Sequence, residues 1–308
     1  MDARKTLERL AGEKSPSAFE HSAAQTAREL LSPYVDETRI DRLGNLIGVR
    51  RCGKEGAKRI MLDAHLDEIG LMVTGIEEGF LRFTEIGGVD PRMLPDREVT
   101  VLCEEPLVGV IACLPPHVQS SADYDKALPA EELFIDVGLS QEEAERRIPI
   151  GTPISYRCGC FALGESRVCG KSMDDRACFT ALLRCAELLK DEELDCDLYI
   201  QGSSREEISG AGAVCGAFAV VPDVCVAVDV THGDSPDAPR DKTFKLGGGP
   251  VVGLGPNCVK SLSQGLRDAA KEENIPVHGG LTGDLAGYFV QMSELIMALA
   301  LMLGGKLL

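Results

Sequence analysis

Four clusters of acidic residues or histidine, each near the end of a short apolar run, suggest the chemistry of this sequence. The clusters are His65-Leu66-Asp67-Glu68, Asp174-Asp175, Glu206-Glu207 and Asp229. Imidazole nitrogens and carboxylate oxygens are the ligands that zinc and related divalent ions bind in catalytic sites. Because ligand sites of open α/β sheets lie where strands end, we expect the clusters to form a polynuclear hydrolytic metal site at a sheet edge.

The spacing within the clusters predicts a division of roles. His65 is a predicted metal ligand, and Asp67 is predicted to orient its ring, since a carboxylate behind a ligand histidine fixes the tautomer. Asp174 is predicted to bridge two metal ions, which lie about 3.5–4 Å apart in dinuclear sites. Adjacent carboxylates can divide their duties, so Glu207 is the predicted ligand and Glu206 the predicted general base.

Six short segments, in one order along the chain, carry a likeness to a known family. They are residues 64–73, 115–117, 133–138, 174–176, 205–207 and 228–232. Together they resemble family forty-two of the metallopeptidases. These are dinuclear aminopeptidases that assemble into tetrahedral shells and are also called glutamyl or deblocking aminopeptidases. The likeness extends from about Pro16 to Pro276.

The resemblance implies a fold, a reaction and a ligand set. The fold would be α/β, a zinc-peptidase-like sheet sandwiched by helices with an inserted small PDZ-like β-barrel. The reaction would be hydrolysis of N-terminal residues from peptides by water activated by two divalent ions, zinc or cobalt. His65 and Asp229 would hold one ion, and Glu207 with a distal histidine the other. Asp174 would bridge the two ions, and Glu206 would be the base.

The sequence departs from the family at the distal histidine. None of its five histidines stands in the family's His-Ser/Thr-Pro context, and residues after Thr282 pass directly into a segment that resembles the family's last helix. We therefore expect a segment to be missing between Thr282 and Asp284, which would leave the second metal site weaker. Three explanations stay open: a segment omitted from this copy of the sequence, a natural deletion, or a rerouted loop in which His278 becomes the ligand. The first is favoured, because losing a central strand costs about 2–5 kcal/mol per large core side chain.

Other interpretations of the same residues stay open. Taken singly, Asp174-Asp175 could cap a helix and Glu206-Glu207 could be a solvated turn, whereas their occurrence together in family order favours the metal site. Asp175 and Arg176 are expected to be structural rather than catalytic. The chain could be a catalytically impaired family member that acts as a scaffold or binds peptides. It could also be a related dinuclear amidohydrolase or deacylase that acts on N-acyl amino acids.

Composition restricts the partners and the compartment. A formal net charge of −17 argues against binding to nucleic acid or to anionic membrane surfaces. The chain opens with charged residues rather than a signal peptide, and the apolar run at residues 295–303 is too short to span a bilayer. Twelve cysteines without a Cys-x-x-Cys pair, several of them in apolar segments, indicate reduced core thiols in a cytoplasmic protein.

The texture of the sequence changes twice and predicts the domain organisation. Residues 69–160 contain short strand-like runs broken by Gly, Pro and Asp, which is typical of a small β-rich domain. Residues 1–68 and 161–308 are predicted to form the catalytic domain, where alternating helices and strands indicate a sheet covered on both faces. The predicted helices include residues 17–34 and 285–303. From the resemblance, the inserted domain is expected to join subunits into a homo-oligomer as large as a dodecamer.

Overall fold

The computed structural model describes residues 1–118, 128–256 and 258–281. The helices are α1 Ala3–Gly12, α2 His21–Leu31, α3 Gln141–Arg147, α4 Met173–Leu189, α5 Glu206–Ser209, α6 Ala211–Val220 and α7 Lys260–Glu272. The first nine strands are β1 Glu37–Ile40, β2 Leu46–Arg50, β3 Lys58–His65, β4 Gly70–Glu77, β5 Phe80–Ile86, β6 Glu98–Val101, β7 Leu107–Ala112, β8 Phe134–Asp136 and β9 Pro153–Tyr156. The remaining strands are β10 Phe161–Leu163, β11 Arg167–Cys169, β12 Cys196–Ser203, β13 Val224–Ala227, β14 Val251–Leu254 and β15 His278–Leu281.

The central feature is a five-stranded sheet in the order β1-β2-β12-β3-β13. Strand β3 pairs in parallel with β12 on one side and with β13 on the other. Six consecutive residues of β3, from Ile60 to His65, are buried, as expected for a parallel strand covered on both faces. The carboxyl ends of β3, β12 and β13 therefore meet at one edge of the sheet.

Helices cover both faces of this sheet. Ile60 and Leu62 of β3 point into the larger core, which they share with residues of α1, α2 and α4, including Phe179. Met61 points to the opposite face and packs with Ile47 and with Val220 of α6. Because side chains alternate along a strand, β3 serves two cores at once. The predicted α/β sheet sandwiched by helices is confirmed.

A closed barrel follows the central strand β3 in the chain. Its six strands run in the order β4-β5-β8-β7-β6-β9 and enclose a separate core that includes Leu71, Leu81, Ile111 and Ile154. The inserted small β-barrel is thus confirmed as part of the fold. The exact division of the chain at residues 69–160 stays a prediction.

The second helix begins later than the sequence pattern suggests. A helix was expected over residues 17–34, but α2 begins at His21. Pro16 instead forms a parallel bridge with Glu68, and the Ser17 N–H donates to the Glu68 carbonyl at 3.0 Å. The chain before α2 is therefore held beside the end of β3. The helix expected at residues 285–303 and the gap between Thr282 and Asp284 lie outside the described residues.

The cysteines are all free thiols. Cys178 and Cys185 of α4 are buried, as expected for small apolar side chains. The same expectation is wrong for Cys215 and Cys225, which are exposed on α6 and on β13. The physical reason is that β13 lies at the edge of the sheet formed by the described residues, and α6 packs against the sheet through its other side. Among the described residues, no helix is both long and apolar enough to cross a membrane.

Candidate metal centre

His65 lies at the centre of the candidate site. It is the last residue of β3, and its side chain is buried. The ring lies between carboxylates: Nε2 is 2.9 Å from Asp174 Oδ1 and 3.8 Å from Glu206 Oε2, while Nδ1 is 3.4 Å from Asp67 Oδ1. Burial opposes the charged ring, but Asp174 and Asp67 raise the pKa of His65 well above its usual value. The structure thus brings together four of the six predicted residues at one ring.

Asp67 holds both the histidine and the turn after β12. Its side chain is fully buried, and it accepts the backbone N–H of Glu206 at Oδ1 and of Glu207 at Oδ2, each at 3.1 Å. Burial favours the neutral acid, but the neighbouring His65 ring lowers the pKa of Asp67 below its usual value. An ionised Asp67 can therefore orient the ring of His65 from behind.

Glu206 and Glu207 follow β12 and begin the short helix α5. Glu206 is 45% exposed and faces the open side of the site, whereas Glu207 is partly buried. Burial and the charge of Asp174 raise the pKa of Glu207 to about 8. The two adjacent acids thus have different surroundings, as their predicted division of roles requires.

Asp174 and Asp175 lie at the start of α4, where the backbone is not yet helical. Asp174 is the partly exposed member of the pair and contacts His65. Asp175 is fully buried, and neither of its oxygens has a hydrogen-bond partner among the described residues. Burial and the charge of Asp229 raise the pKa of Asp175 well above its usual value.

Two groups of side chains have the geometry to hold metal ions. In each group the possible ligand atoms lie within 4.8 Å of one another, and the groups are His65 with Asp174 and Glu207, and His65 with Asp175 and Asp229. Desolvation raises the pKa of Asp229 to about 6. His65 opposes this shift, and the charge of Asp174 adds to it. Carboxylates that disfavour one another's charge in this way are stabilised by a divalent cation. The residues therefore fit a metal centre.

Asp175 and Arg176 were both expected to be structural. Arg176 is fully buried and donates to the carbonyl oxygens of Leu66, Leu10 and Glu13 at 2.9, 2.9 and 2.7 Å, which fits that expectation. Asp175 differs, because its unpaired oxygens lie in a group that could hold a metal. The sequence offered one signal for it, namely a second acid next to the predicted bridge.

Glu68 is a second residue to which the sequence analysis gave no role. It is buried, and its Oε1 accepts from the Ser15 N–H at 2.9 Å and from the Ser155 hydroxyl of β9 at 2.8 Å. Its Oε2 accepts from Lys171 Nζ at 2.5 Å and from the Ser172 hydroxyl. Burial raises the pKa of Glu68, but Arg176 and Lys171 lower it more. Glu68 thus ties the barrel to the segment before α4.

His278 is in neither group that could hold a metal. It begins β15, which pairs with β14, and its ring lies against Phe244 with the ring centroids 5.8 Å apart. The described residues therefore give no support to the rerouted loop in which His278 replaces the distal ligand.

Comparison with known proteins places this geometry in a family. The model of the M42 glutamyl aminopeptidase family matches residues 44–285. The chain belongs to this family. The match covers the ends of β3, β12 and β13 as well as the barrel, so it includes every predicted site residue.

Relatives of the M42 chain support the same conclusion. A lysyl aminopeptidase from Pyrococcus furiosus is 36% identical over 267 residues, which are 85% of this chain and 76% of that protein. The structure of the aminopeptidase APDkam598 from Desulfurococcus kamchatkensis has a TM-score of 0.88 at 29% identity and covers 99% of this chain and 95% of its own. The TET1 peptidase of Pyrococcus horikoshii, described as assembling into a tetrahedron or a large octahedral shell, has a TM-score of 0.81 at 30% identity over 93% of this chain and 86% of its own. The chain is a metal-dependent aminopeptidase.

Proposed function

We propose that the side chains around His65 form the active site at which this enzyme removes N-terminal residues from peptides. The observation that carries the proposal is the convergence of two pairs of carboxylates on one buried histidine, with the exposed Glu206 at the open side. The pairs are Asp174 with Glu207 and Asp175 with Asp229. A free peptide amine is cationic at neutral pH, so the surrounding carboxylates attract it. The proposed substrate is therefore a peptide with a free N-terminus.

The ligands of two ions would divide between the groups. His65 and Asp229 would hold one ion and Glu207 the other, with Asp174 between them and Asp175 as a further candidate ligand. Zinc or cobalt fits a set of one imidazole and several carboxylates. When bound, such ions polarise the scissile carbonyl and lower the pKa of the attacking water.

The remaining residues orient groups and move a proton. Asp67 fixes the ring of His65 from behind and holds the turn that carries Glu206 through two backbone N–H groups. The exposed Glu206 carboxylate would take the proton from the attacking water and deliver it to the leaving amine. Its Oε2 lies 3.8 Å from His65 Nε2, so the base is beside the proposed ligands without being held by a hydrogen bond.

A substrate panel tests the reaction class. The purified chain is stripped of metal with a chelator and assayed with zinc or cobalt added back, on matched peptides with a free or an acetylated N-terminus. We expect hydrolysis of the free-amine peptides only, and only with metal present. Cleavage of the acetylated series at equal or higher rates would support the amidohydrolase or deacylase alternative instead. Peptide binding without hydrolysis at any metal concentration would support the impaired scaffold.

We also propose that residues 69–160 form an oligomerisation domain and that the enzyme is a homo-oligomer as large as a dodecamer. Strand β7 of the barrel turns Val108 and Val110 outward, 50% and 41% exposed, and apolar side chains of this kind favour subunit contacts.

Light scattering at micromolar concentration should give a mass far above a dimer. The double change Val108→Lys and Val110→Lys should lower that mass. Val259→Lys, an exposed valine outside the barrel, should not. A monomeric wild-type mass would contradict the proposal.

The cytoplasm is the proposed location of the enzyme. Support comes from its twelve cysteines, all of which are free thiols in the structure. Proteins of oxidising compartments use such residues in disulfides, whereas reducing compartments keep them as thiols. Fractionation of cells that make the protein, with a cytoplasmic and a secreted marker followed in parallel, should place it with the cytoplasmic one.

A further inference from the structure

Three successive backbone N–H groups in the turn after β12 each donate to a buried carboxylate. The Glu206 and Glu207 N–H groups donate to the two oxygens of Asp67, whereas the Arg205 N–H donates to Glu20 Oε1 at 2.9 Å. Asp67 already has a role beside His65. Glu20 belongs to neither metal-binding group, and the catalytic roles proposed above do not include it.

The side chain of Glu20 serves the turn rather than its own helix. Glu20 is the residue that precedes α2, yet it makes no side-chain capping hydrogen bond to that helix. It is 3% exposed, and it accepts from the Ala18 N–H at 2.6 Å as well as from the Arg205 N–H. Burial and the nearby charge of Asp67 raise its pKa. Burying a carboxyl group costs free energy, and the two hydrogen bonds that Glu20 accepts offset part of this cost.

The turn needs such support because its backbone is strained. Arg205 has a φ of +58°, in the left-handed region that is unfavourable for residues other than glycine. Strained backbone of this kind persists only where the surrounding structure over-determines it. Glu20 holds the N–H at the strained residue, and Asp67 holds the next two. The direction of the Glu206 side chain therefore depends on carboxylates from two separate parts of the chain.

We propose that Glu20 is a positioning residue that fixes the backbone at Arg205 and so aims the carboxylate of Glu206. The proposal rests on the proposed function of Glu206 as the base. A shift of about 1 Å in a reacting group can lower a rate by about 10²-fold. Loss of the Glu20 acceptor should therefore reduce kcat far more than KM.

Four variants separate positioning from general stability. Glu20→Leu removes the acceptor, Glu20→Asp withdraws it by one methylene group, and Glu20→Gln keeps an oxygen of the same reach. Thr26→Val is the control, because it removes a partly buried hydrogen bond of α2, the helix that follows Glu20, between Thr26 Oγ1 and Glu13 Oε1 at 2.8 Å. We expect kcat to fall by about 10–10²-fold in Glu20→Leu and by less in Glu20→Asp. Glu20→Gln should retain most of the wild-type kcat, and Thr26→Val should change only the melting temperature.

Hydrogen exchange of the metal-free protein gives a second measurement that does not require activity. A peptide covering residues 204–209 should exchange faster in Glu20→Leu and Glu20→Asp than in wild type. Its exchange rate should be the same as in wild type in Glu20→Gln and Thr26→Val. An inactive wild-type enzyme would defeat the proposed function but leave this result intact. The positioning role is overturned if Glu20→Gln loses as much kcat as Glu20→Asp. It is also overturned if exchange at residues 204–209 is the same in Glu20→Asp and wild type. The Glu20→Asp and Glu20→Gln pair decides the matter even when Glu20→Leu does not fold.

Discussion

The two sides of the metal centre differ in how firmly they are built. On the inner side, formed by His65, Asp67 and the turn at residues 205–207, the ring is buried and three consecutive N–H groups are paired with carboxylates. On the outer side, formed by Asp229 and β13, Asp229 is exposed and follows the strand that lies at the edge of the sheet among the described residues. The proposed base Glu206 and the histidine shared by both candidate metal-binding groups lie on the inner side, so the catalytic proposal depends mainly on it.

Helix α6, on the face of the central sheet opposite α4, exposes apolar surface. Within the described part of the structure, α6 and the residue after it turn large side chains to solvent: Val214, Phe218 and Val221 are 69%, 86% and 67% exposed. Apolar residues clustered in this way are unusual on a finished monomer surface.

The largest effect is expected from His65→Ala. Both groups that could hold a metal include His65, so its loss removes the only imidazole from each. We expect no measurable hydrolysis and a metal content close to zero by elemental analysis. Asp229→Ala, on the outer side, should keep more metal than His65→Ala. Equal loss in the two variants would show that the two sides contribute alike.

A pair of phenylalanines compares packing on the two faces of the central sheet. Phe179 is fully buried in the core beneath β3, so Phe179→Ala should lower the free energy of unfolding by about 3–5 kcal/mol. Phe218 is 86% exposed, so Phe218→Ala should change it by less than about 0.5 kcal/mol. Urea unfolding of both variants measures the difference. A large effect of Phe218→Ala would mean that another part of the protein or another subunit covers α6.

Metal retention should differ between the two proposed ion positions, one at His65 with Asp229 and the other at Glu207. A histidine nitrogen binds one ion, so the second ion has carboxylates alone among the described residues. Since ligand loss lowers affinity, we expect one ion per chain to remain after exhaustive dialysis and a second to wash out. Activity should then recover when metal is added. Two ions retained after dialysis would show that a further ligand completes the ion position at Glu207.

A smaller effect is expected on the pH dependence of stability without metal. A carboxyl group with a raised pKa binds more protons when folded than unfolded. Glu207, with a pKa of about 8 against a usual 4.5, therefore contributes stability that falls as pH rises across that window. The raised pKa of His65 acts in the same direction, because its contribution is complete below about pH 6.5 and is lost through its higher folded value.

Melting temperatures with a chelator present measure this slope. Wild type should lose more stability than Glu207→Gln between about pH 5.5 and about pH 8, because the variant lacks the titrating group. Added zinc should raise the wild-type melting temperature more at the higher pH, where the ligands are deprotonated. Identical slopes in the two proteins would contradict the assigned burial of Glu207.

The sequence allowed prediction of the site because its residues come from strand ends. His65 ends β3, and Glu206 and Glu207 follow β12 by a short turn, so an apolar run followed by acids was enough to bring them together. The same pattern, with the family resemblance, predicted the helix-covered sheet and the barrel. Asp67 was found for the same reason, since it follows His65 by two residues.

Other features depend on contacts that no local pattern encodes. Glu20 reaches Arg205 across 185 residues, and Glu68 reaches Ser155 across 87, so their spacing along the chain says nothing about these hydrogen bonds. Asp175 was taken as structural because only the fold shows that both its oxygens are buried without partners among the described residues. Cys215 and Cys225 follow the apolar pattern of buried positions, but the edge of the sheet leaves them exposed.

The most direct test of the proposed mechanism compares two adjacent substitutions in the turn after β12. Glu206→Gln should lower kcat by about 10²–10⁴-fold with wild-type metal content, because it removes the base and no ligand. Glu207→Gln should lose bound metal, and its activity should recover in part when zinc or cobalt is raised. Both quantities come from one preparation of each variant, by steady-state kinetics on a free-amine peptide and by elemental analysis. Near-wild-type kcat in Glu206→Gln, or loss of metal from that variant, would contradict the account.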